Sequence, residues 1–194
     1  MKTIIALVLT IGLALSMVSN ARALDLATQY GSVLRNLGTG LMPVPIADTD
    51  IQAKVKKSMG VLQEMLKKLG PPKIDGTSDV AGKPVSAIFF GPSKINGDFV
   101  VVDEVVKEMG GTATVFVKAG DEYIRVSTNV LKDDGTRAIG TQLAHNPAYN
   151  AINGGQAFYG QVEILGKPYE TGYEPIKDAA GNSIGIYYVG YKMP

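Results

Sequence analysis

Residues 110–141 read GGTATVFVKAGDEYIRVSTNVLKDDGTRAIGT, and this stretch decides the fold. Two β-rich runs, 112–118 and 122–128, flank a tight Lys118-Ala119-Gly120-Asp121 turn, and a Gly-punctuated loop carrying Arg137 follows. In the second run, alternation sends Ile124 and Val126 to one face and Tyr123, Arg125 and Ser127 to the other. A strand with an arginine and a tyrosine hydroxyl on one face has either a wet surface or an anion pocket there.

Downstream, Asn146 and Pro147 read as the cap and first residue of a short helix through Asn153, ended by Gly154-Gly155. Strand patterns then occupy 156–165, 168–177 and 184–191, with turns at Gly166-Lys167 and Ala180-Gly181-Asn182. Upstream, Phe99 to Val106 predicts a strand start passing into one helical turn, and Val85 to Phe90 a short strand. The polar, glycine-bearing segment 73–83 predicts a loop. Before it, Val55, Met59, Leu62, Leu66 and Leu69 recur in steps of four and three behind the caps Asp48, Thr49 and Asp50, and Gly70-Pro71-Pro72 stops the run. Leu26, Tyr30, Val33, Leu34 and Leu37 predict an earlier helix. Helices first and a strand meander after them predict an α+β domain, long helices on one sheet face and loops with the small helix on the other.

Composition narrows the function. The 194 residues suffice for one medium domain. Nineteen basic residues against 18 acids give no strong field, which argues against nucleic acid or a polybasic membrane surface. Without cysteine there are no disulfides, thiolate metal sites or thiol catalysis, and a single histidine, His145, excludes a two-histidine metal site. Lys2, the apolar run Ile4–Val18 and Ala21-Arg22-Ala23 have the form of a signal peptide cleaved after Ala23; an uncleaved anchor is the rival. Taking Lys2 and Arg22 from the 19 basic residues leaves 17 against 18 acids. The expectation is a signal peptide at 1–23 and one free, exported, near-neutral domain at 24–194, periplasmic or secreted.

Eight of the nine tyrosines follow residue 120. By alternation Tyr159 shares a face with Gln161, while Tyr169, Thr171 and Tyr173 share another. If these faces converge with Tyr123, Arg125 and Ser127, they line a pocket with one fixed cation and several hydroxyls, suited to a carboxylate. Otherwise the tyrosines are ordinary strand residues, favoured by β propensity. Arg137 either enters the pocket or pairs with Asp133 or Asp134; the D-x-[DN]-x-[DN]-G spacing of a calcium loop is not met. His145 has no G-x-S-x-G elbow beside it, and neither a P-loop nor a G-x-G-x-x-G is present. No catalytic residue, cofactor or metal is expected, and no enzyme chemistry has support.

Val102-Asp103-Glu104, Gly110-Gly111-Thr112-Ala113-Thr114-Val115-Phe116, Arg125-Val126-Ser127-Thr128-Asn129 and Asp134-Gly135-Thr136-Arg137-Ala138-Ile139-Gly140-Thr141 together resemble the single Cache sensor domains, in the fusion form combining two Cache profiles. The likeness continues through Leu165-Gly166-Lys167-Pro168-Tyr169, Tyr173-Glu174-Pro175-Ile176 and Gly185-Ile186-Tyr187-Tyr188-Val189-Gly190. It implies a PAS-like antiparallel sheet with long N-terminal helices, in an extracytoplasmic sensor of organic acids or amino acids such as those of chemoreceptors and histidine kinases. By analogy the ligand-binding candidates are Phe116, Tyr123, Arg125, Ser127, Arg137, Tyr159, Tyr169 and Tyr173. Receptor members are flanked by membrane spans; this chain shows no second apolar span, so a separate membrane receptor or histidine kinase is the expected partner. The alternative is a ligand-free interaction module that dimerises through its N-terminal helices, favoured if the stripe Val55, Met59, Leu62 and Leu66 is exposed. An exported hydrolase, lacking any nucleophile–base pair, is the weakest alternative.

Overall fold

The helical stripe is buried, not exposed. In the computed structural model, which describes residues 46–194, α1 spans Ile46–Leu69, and Val55, Met59, Leu62 and Leu66 are each at most 1% exposed. The signal peptide, its cleavage site and the helix predicted around Leu26–Leu37 lie outside the described residues. Gly70 ends α1: its N–H donates to the Lys67 carbonyl (3.1 Å), and its φ of 130° would strain any other residue. A Cβ there would stand 2.6 Å from the Gly91 Cα, so the helix end and the end of β2 pack backbone to backbone.

The remaining elements are β1 (Pro72–Val80), β2 (Lys83–Phe90), β3 (Ser93–Lys94), α2 (Val100–Met109), β4 (Thr112–Ala119), β5 (Glu122–Thr128), α3 (Pro147–Asn153), β6 (Phe158–Ile164), β7 (Lys167–Lys177) and β8 (Ser183–Lys192). They form two antiparallel sheets, β1-β2-β3 and β5-β4-β8-β7-β6. This is the expected α+β, PAS-like arrangement.

Two apolar layers sandwich the larger sheet. On one face α1, α2 and the small sheet close over Val115, Val117, Ile124, Val126 and Val189. On the other, α3 and the 129–146 segment contribute Val130, Ala138, Leu143, Ala148 and Ile152 over Phe116, Tyr123, Tyr173, Ile186 and Tyr188.

Two expectations are corrected. Segment 73–83 is largely the strand β1, paired with β2 along its length. It carries almost no buried side chain, so ladder hydrogen bonds alone hold it and no apolar alternation announced it. The run from Phe99 is not a strand start but the helix α2. Its valines bury Val102 and Val105 on one side, Asp98 accepts the Val100 N–H (2.9 Å), and the Gly110 N–H closes the end on the Val106 carbonyl. Packing overrode the strand preference of β-branched residues.

Candidate functional site

β5 lies at the edge of the five-stranded sheet, and what covers that edge builds the site. The segment after Arg137 runs beside β5: the Arg125 N–H donates to the Thr141 carbonyl (2.9 Å), the Gly140 N–H to the Arg125 carbonyl (3.0 Å) and the Leu143 N–H to the Tyr123 carbonyl (2.9 Å). The open edge is thus satisfied by the chain's own loop. From there the loop turns across the sheet into α3, whose Asn146 side chain accepts from the Ala148 and Tyr149 N–H groups.

Register decides which predicted residues meet. Phe116 pairs with Arg125, Ile186 with Phe116, Tyr188 with Tyr173, and Tyr169 stands in line across β7 and β6 from Val162. Paired residues share a face, so Phe116, Tyr123, Arg125, Tyr169 and Tyr173 all lie on the face under α3 and the loop.

Ser127 does not join them. The register shifts between Val115 and Phe116, so that Val115 faces Ser127 while Phe116 faces Arg125, with Val126 as the extra residue. The bulge turns Ser127 to the helix face, where its hydroxyl donates to the Asp98 carbonyl. Tyr159 also departs, because it pairs with Gly172 and donates to the Glu174 carboxylate on the α1 face. Arg137 enters neither the pocket nor an Asp133 or Asp134 pair. Its guanidinium forks onto Asp103 (2.8 Å to both oxygens), donates to the Thr128 carbonyl and stacks over the Phe99 ring. Asp133 instead faces Lys167 (3.1 Å), and Asp134 accepts from Thr136.

Arg125 is the centre of what remains. It is 4% exposed, lies 4.9 Å over the Phe116 ring, and donates from one terminal nitrogen to the Thr141 hydroxyl (2.7 Å). Its Nε has no partner, and no carboxylate pairs with it among the described residues. Burial holds its pKa below the ordinary arginine value, against the neighbouring Tyr173 and Tyr188, which favour the charge. Arginine nonetheless stays protonated in proteins, so this is a buried, uncompensated cation. Tyr173 and Tyr188 rings lie 4.9 Å apart; burial pushes both phenols well above their usual range, which keeps them neutral hydrogen-bond donors.

Sequence reasoning passed over Tyr188 and Thr141. Tyr188 is fully buried in the central strand β8 and shares a hydrogen bond with the Thr112 hydroxyl (3.0 Å). Its alternation with Ile186 and Gly190 was available as a signal; Thr141, on an irregular loop, gave none.

Arranged this way, a buried guanidinium stands among neutral phenols under the cover of α3 and the 129–146 segment, a chemistry complementary to an anionic group. The chain matches the Cache 3/Cache 2 fusion domain over residues 41–193. It is a Cache domain. Cache domains are extracytoplasmic sensor domains that bind small molecules. No curated protein matches the chain. Among its described residues, no helix of this Cache domain is long and apolar enough to cross a membrane.

Proposed function

We propose that this Cache domain is an exported, non-enzymatic sensor that binds a small carboxylate, an organic acid or amino acid, through Arg125. It acts on a separate membrane receptor or histidine kinase, as in chemotaxis and related signalling. The supporting observation is the Arg125 side chain: buried, without a counter-charge among the described residues, and with Nε unpartnered. Leaving a charge in that condition is costly unless a partner arrives, and a carboxylate offers the fork geometry a guanidinium takes. Phe116, Tyr123, Tyr169, Tyr173 and Tyr188 supply walls and hydroxyls around it. Ser127, Tyr159 and Arg137 support the frame rather than the ligand.

A ligand reaches Arg125 only when the cover of α3 and the 129–146 segment lifts. Besides the backbone bonds along β5 and the buried side chains Val130, Leu143 and Ile152, two exposed contacts tie that cover down: Arg137 on Asp103, and His145 on Glu122 (2.9 Å), with the His145 ring stacked on Tyr149 at 4.1 Å. The two exposed contacts are individually weak, and the backbone bonds and apolar burial are the larger cost of opening.

A thermal-shift screen of the exported chain against carboxylates, amino acids, amines and purines tests the reading. Ligand at a hundredfold excess over Kd stabilises by about 2.7 kcal/mol. A rise with one carboxylate class, lost in Arg125→Ala while that variant still melts cooperatively, is the expected result. Equal binding by Arg125→Ala removes the assignment. The closed packing over Arg125 favours one rival, a self-filled interaction module, which a flat screen would support; the buried α1 stripe counts against docking through Val55 and Leu62.

A further inference from the structure

On the opposite, α1 face, β7 carries two carboxylates, Glu170 and Glu174, on either side of Gly172. Glu174 is fully engaged: it accepts from the Tyr159 hydroxyl and from the Gln63 amide (2.7 Å). Glu170 is not. It is 2% exposed, and no side chain hydrogen-bonds or ion-pairs with it among the described residues. It lines a cleft of about 230 Å³ whose other walls are Gln52, Val55, Lys56 and Tyr159.

The Tyr159 ring closes one side because Gly172 makes room: a Cβ there would stand 2.7 Å from the ring. Lys56 holds its ammonium 5.9 Å from the ring centroid and forms no ion pair among the described residues. The cleft is thus lined by one carboxylate, Glu170, and one lysine that do not pair with each other, and the aromatic wall already tolerates a cation.

We propose that this cleft is a second ligand site, distinct from Arg125, that takes the head of a small primary ammonium compound between Glu170 and the Tyr159 ring. The ammonium would donate to the Glu170 carboxylate and rest against the phenol, gaining charge-assisted hydrogen bonding and ring attraction together. A neutral or anionic head gains neither.

Titration calorimetry of the full chain with propylamine, with propanol and propionate as matched controls, tests this. Saturable binding of the amine alone is expected, weakened at least tenfold in Glu170→Gln. Lys56→Met keeps the carboxylate and removes the built-in competitor, so it should bind the amine as well or better. Arg125→Ala should bind it unchanged, whatever becomes of the carboxylate site. Equal amine binding by Glu170→Gln, a loss in Lys56→Met or in Arg125→Ala, or an amine signal no larger than that of propanol overturns the proposal.

Discussion

Arg125 turns a question of function into one of stability. A buried cation without a partner costs free energy, and replacing it by an apolar residue of similar length is often neutral or stabilising. Arg125→Met is therefore expected to unfold in urea at the parent's midpoint or above it, while losing every carboxylate response. A large drop in the midpoint without ligand would make the guanidinium a structural member. Tyr188 carries the opposite expectation. Its hydroxyl meets the half-buried Thr112, which also donates to the Gly190 carbonyl, so Tyr188→Phe removes one hydrogen bond and should cost about 1 kcal/mol in the same urea titration. Gly190 is bound to this tyrosine: a Cβ at 190 would collide with the Tyr188 hydroxyl, which fixes glycine there. At this scale, the shared face of Tyr123 with Arg125 and that of Tyr169 with Tyr173 were legible because alternation within one strand is a local property, whereas Phe116 came from the family resemblance. Ser127 and Tyr159 were not. One is turned by a bulge, and the other belongs to a strand whose phase relative to β5 is set by cross-strand pairing, which no single strand's pattern contains.

Among the elements, those with strong punctuation were read well. α1, β4, β5 and α3 announce themselves through caps, glycines and period, and the three closing strands through their turns. β1 and α2 were misread for opposite reasons. The first is polar and held by its ladder, the second β-branched and held by its packing. The cover also belongs to this scale, and a helix cap and an ion pair are two of the contacts that hold it, beside its backbone bonds to β5. Asn146→Ala removes an acceptor for two N–H groups at the start of α3 and is expected to cost about 1 kcal/mol. Arg137→Ala releases Asp103, Phe99 and the Thr128 carbonyl together, with a cost of about 1 kcal/mol given the pair's partial exposure. Hydrogen exchange should localise both effects to 129–157. Exchange spread evenly over β4, β5 and β8 instead would show that this segment is not a separable cover but part of the core.

Across the whole molecule, buried phenols set how stability follows pH. Burial raises Tyr123, Tyr173 and Tyr188 above their usual value of 10.0, and Tyr187 is pushed up to about 12 by burial and the nearby Glu174 carboxylate. A group whose folded pKa lies above its unfolded value keeps its proton longer when folded. Its stabilising contribution is complete below the unfolded pKa and is lost as pH rises from there through the folded pKa. Arg125 stays protonated throughout, so the cost of burying its charge does not change over this limb. On the acid side, Asp134 and Asp178 are held low by hydrogen bonds from Thr136 and from Asn182, and both are exposed, so they shape that limb weakly. The expected profile of Tm is a plateau through neutral pH and a steep fall beginning near pH 10. Tyrosinate absorbance should rise together with unfolding rather than before it, because the buried phenols ionise only once the sheet opens. Were most of the tyrosinate signal to appear near pH 10 with Tm unchanged, the phenols on the Arg125 face would be in contact with water. The ring of neutral donors around the guanidinium would then not exist in solution.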